Sequence, residues 1–183
     1  MNRAAFDYFA DLLRRESGLQ MTPEKYYLLE TRLLPIVQQQ GVAGVEGLAS
    51  LLRRDEGNSV VRQAVIEAMA THETSFFRDM TPFDRLRDIV LPYMAKTRAA
   101  EKSLRIWSAA CASGQEAYSI AILLREYGAP FDGWQVQITG TDISHEILGR
   151  AQAGVYSQFE VQRGMPARLL VKYFKQEGEA WRL

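Results

Sequence analysis

Apolar side chains recur three and four positions apart through residues 1–70, which is the period of one face of an α-helix and predicts a small all-helical domain. The first helix should end at Gly18, because glycine readily takes the left-handed conformation that closes a helix. The second runs from Pro23 toward Gln40, and Pro35 predicts a kink or an early stop inside it. A short third helix covers residues 48–52, and a fourth begins with Ser59 as its N-cap.

From residue 81 onward the pattern changes to alternating strands and helices. Thr81, followed by a proline, predicts the N-cap and first turn of a helix. A short strand at residues 104–107 leads into a run of small residues at 108–114, and then into a helix from Gln115 to Tyr127. Residues 134–140 alternate at period two and predict a second strand. Beyond it lie a helix capped by Ser144, a segment starting at Val155, two helical stretches at 159–164 and 166–173, and a hairpin at 174–183.

The order strand, small-residue loop, helix, strand and acid predicts a ligand-binding βαβ unit with parallel strands. The small side chains between Ser108 and Gly114 let the backbone approach a ligand closely. Asp142 follows the second strand and can accept hydrogen bonds from two adjacent ribose hydroxyls. This pattern fits nicotinamide, flavin and S-adenosylmethionine sites alike. Ser113-Gly114-Gln115 lacks the glycines of a dinucleotide fingerprint, which argues against a nucleotide-dependent oxidoreductase.

Composition and charge exclude several classes of protein. The 183 residues carry 22 basic and 22 acidic side chains, without the strong basic excess expected of a nucleic-acid binder. A single cysteine, Cys111, excludes an internal disulfide and a multi-cysteine zinc site. The longest apolar run, residues 120–124, is too short to span a bilayer, and Asp7 and Asp11 interrupt any signal-peptide core. We therefore expect a cytoplasmic protein with neither membrane insertion nor a nucleic-acid partner.

Three ordered motifs resemble the signatures of the CheR-type chemotaxis receptor methyltransferases. Residues 71–79, Thr-His-Glu-Thr-Ser-Phe-Phe-Arg-Asp, are similar to the family's N-x-T-x-F-F-R signature. Residues 105–121, RIWSAACASGQEAYSIA, look like its W-S-A-(A/G)-C-S-x-G-(E/Q)-E-P-Y-S-(I/L)-A signature. Gly140-Thr141-Asp142-Ile143-Ser144 matches a third motif. The order and spacing of these motifs agree with the family over essentially the whole chain.

This resemblance implies an α/β fold class, in which an all-helical N-terminal domain precedes the first half of a Rossmann-like class I methyltransferase domain. The expected receptor-recognition domain spans residues 1–72 and the methyltransferase domain residues 73–183, with a β subdomain starting near residue 155. Family members continue with further strands, and two core strands do not complete their sheet. We therefore expect a chain truncated in the β subdomain, which is inactive alone or receives the missing sheet from a second chain.

The resemblance further implies transfer of a methyl group from S-adenosyl-L-methionine to glutamate side chains of chemoreceptors, which leaves S-adenosyl-L-homocysteine. It makes Arg78 the cofactor-contacting arginine and candidate catalytic residue, with His72 and Thr74 as neighbouring cofactor-binding residues. Asp142 is expected to hold the ribose hydroxyls and Glu116 to meet the ammonium group of the cofactor. The alternative function is a non-catalytic module that docks on receptors or on another protein.

Each of these residues also has a plainer interpretation. Arg78 could be a surface ion-pair partner of a neighbouring acid, and Thr74 could cap a helix. Glu116 could favour its helix N-terminus electrostatically, and Asp142 could belong to a turn. Cys111 is interpreted as a small core residue, because methyl transfer to a carboxylate needs no thiolate.

The sequence departs from the family pattern at two motif positions and in its second helix. His72 stands where the family usually has asparagine, so the charge at this position varies with pH. Ala117 replaces the proline that usually follows the glutamate. The second helix is poor in arginine, although this helix is held to read the cytoplasmic methylation helices of the receptor. The candidate receptor-binding residues are therefore Lys25, Arg32, Arg53 and Arg54.

Overall fold

The computed structural model describes residues 1–55 and 57–183, which divide into one unit at Met1–Thr71 and another at His72–Leu183. The described part of the first unit is helical. Its helices are α1 (Arg3–Ser17), α2 (Tyr26–Gln39), α3 (Gly44–Arg54) and α4 (Ser59–Met69), with a 3₁₀ turn at Pro23–Lys25 before α2. The predicted all-helical first part is thus confirmed.

One apolar core holds the first unit together. Residues on the inner faces of the four helices, among them Phe9, Leu33, Leu48 and Val65, are fully buried. Burying a side chain of this size contributes about 1.5–3 kcal/mol before the cost of ordering it. Gly18 closes α1 in the left-handed conformation, as predicted.

Of the two alternatives predicted at Pro35, the early stop is wrong, and the predicted N-cap of α4 is wrong as well. Helix α2 continues past Pro35 to Gln39, so no early stop occurs there. The buried side chains of Ile36 and Val37 lie just beyond the proline, and their packing favours continuation of the helix. The N-cap of α4 is Asn58 rather than Ser59, because the Asn58 side chain accepts a hydrogen bond from the Val61 amide.

The second unit begins with an irregular segment and a broken helix. Helix α5 (Thr81–Arg85) continues through a π-helical turn, Leu86–Val90, into α6 (Leu91–Thr97). Thr81 is the first residue of α5, and Met80 occupies the N-cap position without a side-chain hydrogen bond. The prediction of Thr81 as a capping residue was therefore wrong.

A βαβ unit follows. It consists of β1 (Ser103–Ala109), α7 (Gln115–Tyr127) and β2 (Gln135–Thr141), and helix α8 (His145–Ala153) comes after it. The two strands pair in parallel from Ser103 with Gln135 to Ala109 with Thr141, which confirms the predicted parallel pairing. Parallel pairing places the carboxyl ends of both strands at one edge, where a ligand of an α/β sheet binds.

The last part of the second unit is a small antiparallel sheet with two short helices. Strands β3 (Val155–Ser157), β4 (Lys175–Glu177) and β5 (Ala180–Arg182) pair in the order β3-β5-β4, and the predicted hairpin is formed by β4 and β5. Helices α9 (Gln158–Gln162) and α10 (Ala167–Tyr173) lie between β3 and β4 in the chain. Strand β3 was not predicted, because three residues are too few to display a period of two.

The loop between α9 and α10 touches the segment that carries the first motif. Gly164 has a positive φ of 94°, and a Cβ atom added to it would overlap the carbonyl oxygen of Phe76. The Phe76 ring is fully buried and meets the rings of Tyr156 and Phe174 edge-on, at centroid distances of 4.9 and 5.5 Å. The small sheet and the loop between its two helices therefore pack against the motif segment at Phe76.

Across the two described ranges, helices that combine the length and the apolar character needed to cross a membrane are absent.

Candidate functional site

The loop after β1 lies against the end of β2. The Cys111 amide donates a hydrogen bond of 2.9 Å to the Thr141 carbonyl, and Gly114 is the N-cap of α7. Ala110 and Ala112 have positive φ angles of 55° and 48°, which are uncommon for residues other than glycine. Backbone strain of this kind costs roughly 1–3 kcal/mol and is concentrated at functional sites. The small residues predicted to admit a ligand therefore also form a tight, strained turn.

Asp142 is fixed by this turn. Its Oδ2 accepts a 2.8 Å hydrogen bond from the Ala112 amide, and its Oδ1 accepts a 3.1 Å bond from the Ser144 amide. Only 5% of its side chain is exposed. Each carboxylate oxygen has about two acceptor positions and can therefore accept more than one hydrogen bond. A buried carboxylate at a strand end, with two oxygens of this kind, suits a diol that offers two hydroxyls.

Hydrogen bonds through Ser119 hold the segment of the first motif against α7. The Phe77 amide donates a 3.0 Å hydrogen bond to the Ser119 hydroxyl, which itself donates to the Gln115 carbonyl at 2.6 Å. Phe76 and Phe77 are both buried. Phe77 and Asp79 have positive φ angles of 47° and 60°. The backbone of this segment is thus held in an uncommon conformation beside the βαβ loop.

A cavity of about 280 Å³ opens between the two segments. Three predicted site residues, Thr74, Arg78 and Glu116, line it together with Ala110 and Cys111. The structure therefore brings the arginine and threonine of the first motif to the glutamate of the second. Asp142 is connected to the same loop through Ala112, which adjoins the cavity residue Cys111.

Arg78 is half-exposed and is oriented by the backbone of its own segment. Its guanidinium donates a 2.9 Å hydrogen bond to the Glu73 carbonyl, and 49% of the side chain is exposed. The nearest carboxylate oxygen, on Asp79, is 4.0 Å away, which makes a weak surface contact. The Glu73 side chain is bound instead by Arg163, and this hydrogen bond with the added charge of Arg78 lowers the pKa of Glu73. Arg78 retains donors for an anionic group in the cavity.

Glu116 lies in the first turn of α7, where the helix dipole favours a negative charge. One of its carboxylate oxygens accepts a 2.8 Å hydrogen bond from the Ser108 hydroxyl, so the side chain is held in place. Both the electrostatic interpretation and the ligand interpretation are compatible with this geometry, because the other oxygen has acceptor positions left for a cation.

Cys111 is 3% exposed, which agrees with its interpretation as a small core residue. Burial raises the pKa of its thiol, and the negative charges of Asp142 and Glu116 raise it further. A thiol of raised pKa is a poor nucleophile, because the thiolate is the reactive form.

These residues fit S-adenosylmethionine. Asp142 would hold the ribose hydroxyls, Glu116 the ammonium group and Arg78 the carboxylate of the cofactor, each by a charge-assisted hydrogen bond. His72 approaches Asp142, with its Nε2 atom 3.6 Å from Oδ1. That buried Nε2 atom has no hydrogen-bond partner among the described residues, which is consistent with a ligand group beside it.

Sequence reasoning missed the residues that hold the predicted ones. Ser108 binds Glu116, the Ala112 amide binds Asp142, and Ser119 binds Phe77. Two of these contacts involve backbone amides, which have no pattern in the sequence. The serines could have been suspected, because Ser108 and Ser119 lie within the second motif, but their partners depend on the fold.

The candidate receptor-binding residues differ in how free their side chains are. Arg32 donates to the carbonyls of Met69 and Ala70 at 2.9 and 3.1 Å, so it closes the end of α4. Arg53 donates to the Ala4 carbonyl at 2.9 Å, and its guanidinium lies 4.9 Å from the centroid of the Tyr8 ring. Arg53 is nevertheless exposed, as are the two remaining candidates, Lys25 and Arg54. Arg32 and Arg53 therefore have structural roles besides any contact with a receptor.

Comparisons with known proteins identify the family of both units. Residues 4–70 match the family model described as CheR methyltransferase, all-alpha domain, and residues 72–183 match the model described as CheR methyltransferase, SAM binding domain. The second match makes S-adenosylmethionine the cofactor to consider for this domain.

Curated relatives carry the same description over most of the chain. A chemotaxis protein methyltransferase 1 of Pseudomonas aeruginosa is 36% identical over 178 residues, which are 96% of this chain and 64% of the relative. A chemotaxis protein methyltransferase of Vibrio parahaemolyticus is 37% identical over 175 residues, 93% of this chain and 62% of the relative. One of Borreliella burgdorferi is 32% identical over 87% of this chain and 56% of its own length. The chain thus spans less than two thirds of the length of these relatives.

Proposed function

Because the chain belongs to the CheR methyltransferase family, we propose that the full-length protein transfers a methyl group from S-adenosylmethionine to glutamate side chains of chemoreceptors. The observation that carries this proposal is Asp142, a buried carboxylate at the end of β2 whose two oxygens are each bound by one backbone amide. It lies beside a loop that also lines the cavity containing Arg78 and Glu116.

The proposed reaction needs orientation more than acid–base chemistry. Bound S-adenosylmethionine supplies a methyl group on a positively charged sulfur. A free glutamate side chain has a pKa of about 4.3, so the attacking carboxylate is already ionised near neutral pH and needs no general base. Asp142 would fix the ribose of the cofactor, and Glu116 and Arg78 its amino-acid end, so that the sulfonium between them is held in place and the reacting atoms are aligned. Thr74 would add a hydroxyl on the same wall of the cavity.

The proposed partner is the cytoplasmic methylation helices of a chemoreceptor, which places the proposed action in the cytoplasm. The first unit would make this contact. Lys25 and Arg54 are the better candidates, because the guanidinium groups of Arg32 and of the equally exposed Arg53 already donate to backbone carbonyls within the unit. An acidic receptor surface would suit these basic side chains.

The test combines binding with transfer. Calorimetry of the full-length protein with S-adenosylhomocysteine should give saturable binding, and labelled methyl should move from S-adenosylmethionine to receptor-containing membranes. The label should be released as methanol by mild alkali, because carboxyl methyl esters are hydrolysed under conditions that leave N-methyl groups intact. Binding without transfer to any receptor would favour the alternative, a docking module. Alkali-stable label would contradict methylation of glutamate.

A further inference from the structure

His72 and Asp142 form a pair that the family pattern does not contain, since His72 replaces the usual asparagine. His72 lies at the start of the second unit, and its Nε2 atom is 3.6 Å from the Asp142 Oδ1 atom. The Nε2 atom is buried and lacks a hydrogen-bond partner within the described ranges, while 23% of the side chain is exposed. The exposed part lets the ring exchange protons with water, and the buried nitrogen faces a carboxylate.

The facing oxygen is one that the ribose would need. Oδ1 accepts from the Ser144 amide and Oδ2 from the Ala112 amide, and a carboxylate oxygen can accept more than one hydrogen bond. An imidazole nitrogen 3.6 Å away needs to move only slightly to donate to Oδ1 as well. His72 and a ribose hydroxyl are therefore competitors for the same acceptor.

Other titratable groups lie near the pair, and they differ in what binds them and in their exposure. Of all these groups, Asp142 is the one whose carboxylate the imidazole approaches. On the segment of His72 itself, the Glu73 carboxylate is bound by Arg163. From the βαβ loop and α7, Cys111 is held neutral by burial and Glu116 accepts from a serine. His145, at the start of α8, is exposed.

We propose that His72 is a positioning residue that acts through Asp142, so that protonation of its imidazole weakens binding of the cofactor. This inference rests on the proposed function. In the neutral state the imidazole is a weak competitor, and Asp142 keeps its full charge for the ribose hydroxyls. In the protonated state a charge-assisted hydrogen bond ties Oδ1 to His72 and neutralises the carboxylate. Affinity for the cofactor therefore falls as the pH decreases through the range in which histidine titrates.

The experiment measures S-adenosylhomocysteine binding to the full-length protein by calorimetry at about pH 8 and about pH 5.5. We expect binding to be roughly three- to tenfold weaker at the lower pH, the factor that separates a charged from a neutral hydrogen bond. His72→Asn, which restores the family residue, should bind equally well at both pH values, and His72→Gln provides a second uncharged variant.

Nuclear magnetic resonance gives a readout that does not depend on catalysis. The sequence contains two histidines, so the two ring signals can be assigned with His145→Gln. Saturating S-adenosylhomocysteine should move the midpoint of the His72 ring signals to lower pH. The reason is thermodynamic linkage: if protonation weakens binding by some factor, binding weakens protonation by the same factor. His145→Gln should retain the pH dependence of binding.

The outcomes separate this inference from the function on which it rests. Tight binding that does not change with pH, or a pH dependence that persists in His72→Asn, overturns the role of His72 and leaves the proposed function intact. Failure of the wild-type protein to bind S-adenosylhomocysteine at either pH overturns the proposed function and this inference with it.

Discussion

The Sγ atom of Cys111 occupies the space in which a side chain at position 140 would begin. A Cβ atom added to Gly140 would lie 2.8 Å from that Sγ atom and 3.3 Å from the Cys111 Cβ atom. The absence of a side chain at Gly140 is therefore what lets the loop after β1 close onto β2. This closure places the Ala112 amide 2.8 Å from Asp142 Oδ2.

Gly140→Ala should lower the stability of the full-length protein and weaken binding of S-adenosylhomocysteine, because the loop must move away from Asp142. Overpacking of this kind typically costs about 1–3 kcal/mol, or roughly 5- to 150-fold if it falls on binding. Calorimetry and thermal unfolding measure the two effects. Adding Cys111→Ala to the same protein removes the obstructing sulfur and should restore most of the loss.

The matched control is Gly149→Ala, on the helix that follows β2. An added Cβ atom meets nothing within 4 Å there, and alanine is the better helix former, so stability and binding should be unchanged or improved.

Cys111→Ser should leave methyl transfer within a few fold of wild type, because no step uses a thiolate. A loss of activity in a folded Cys111→Ser protein would contradict its interpretation as a core residue.

The effect of removing the two charged cofactor contacts should be large. Arg78→Ala and Asp142→Ala each delete a charge-assisted hydrogen bond worth about 1.5–3 kcal/mol, so affinity for S-adenosylhomocysteine should fall roughly 10- to 150-fold. The matched control is Asp132→Ala, an exposed acid in the turn before β2, which should bind as the wild type does. Unchanged affinity in both site variants would remove these residues from the cofactor site.

Much of the fold was predictable because its helices and two longer strands have clear periods. The helix from Gln115 to Tyr127 and the strand from Gln135 to Thr141 lie within one residue of their predicted bounds. The features that were predicted wrongly or missed depend on tertiary structure. Packing of the residues beyond Pro35 continues a helix that local preference would end, and β3 exists because β5 pairs with it.

The sequence predicted candidate residues for the site, but it did not predict which groups they hydrogen-bond to or lie beside. The motifs named Arg78, Glu116 and Asp142, since these side chains carry the charge that a cofactor needs. The contact of Asp142 with the Ala112 amide depends on a positive φ at alanine, which residue preferences do not predict. The proximity of His72 to Asp142 joins positions 70 residues apart in the sequence, so only the folded chain reveals it.

Glu126 links α7 to α10 and should make stability depend on pH. It accepts hydrogen bonds from Lys172, Tyr173 and Arg168 at 2.6, 2.7 and 2.6 Å. These donors, Lys172 foremost, lower the pKa of Glu126 from 4.5 to about 2. A carboxyl group with a lowered folded-state pKa stabilises the fold above its unfolded pKa, and this contribution is lost as the pH falls through the folded value.

Glu126→Gln should therefore lower Tm at about pH 7, where the carboxylate is charged in both states, and the difference from wild type should shrink as the pH approaches 2. Thermal unfolding across this range checks the prediction. Glu101→Gln, at an exposed turn before β1, is the control and should change Tm little at any pH. An equal loss at both ends of the range would mean that packing, rather than charge, accounts for the role of Glu126.

The last prediction separates receptor contact from helix stability in the first unit. Lys25→Glu and Arg54→Glu reverse exposed charges, so they should lower the rate of receptor methylation, most strongly at low ionic strength, while leaving S-adenosylhomocysteine affinity and Tm unchanged. Arg32→Glu should behave differently. Its guanidinium closes α4 through the Met69 and Ala70 carbonyls, and a carboxylate there would meet those oxygens and lower Tm as well. Arg3→Glu, at the exposed first residue of α1, tests whether the loss is specific to the position, because the helix dipole favours a negative charge there. If Lys25→Glu and Arg54→Glu methylate receptors at the wild-type rate at low salt, the receptor does not contact these two side chains, and recognition must use other residues.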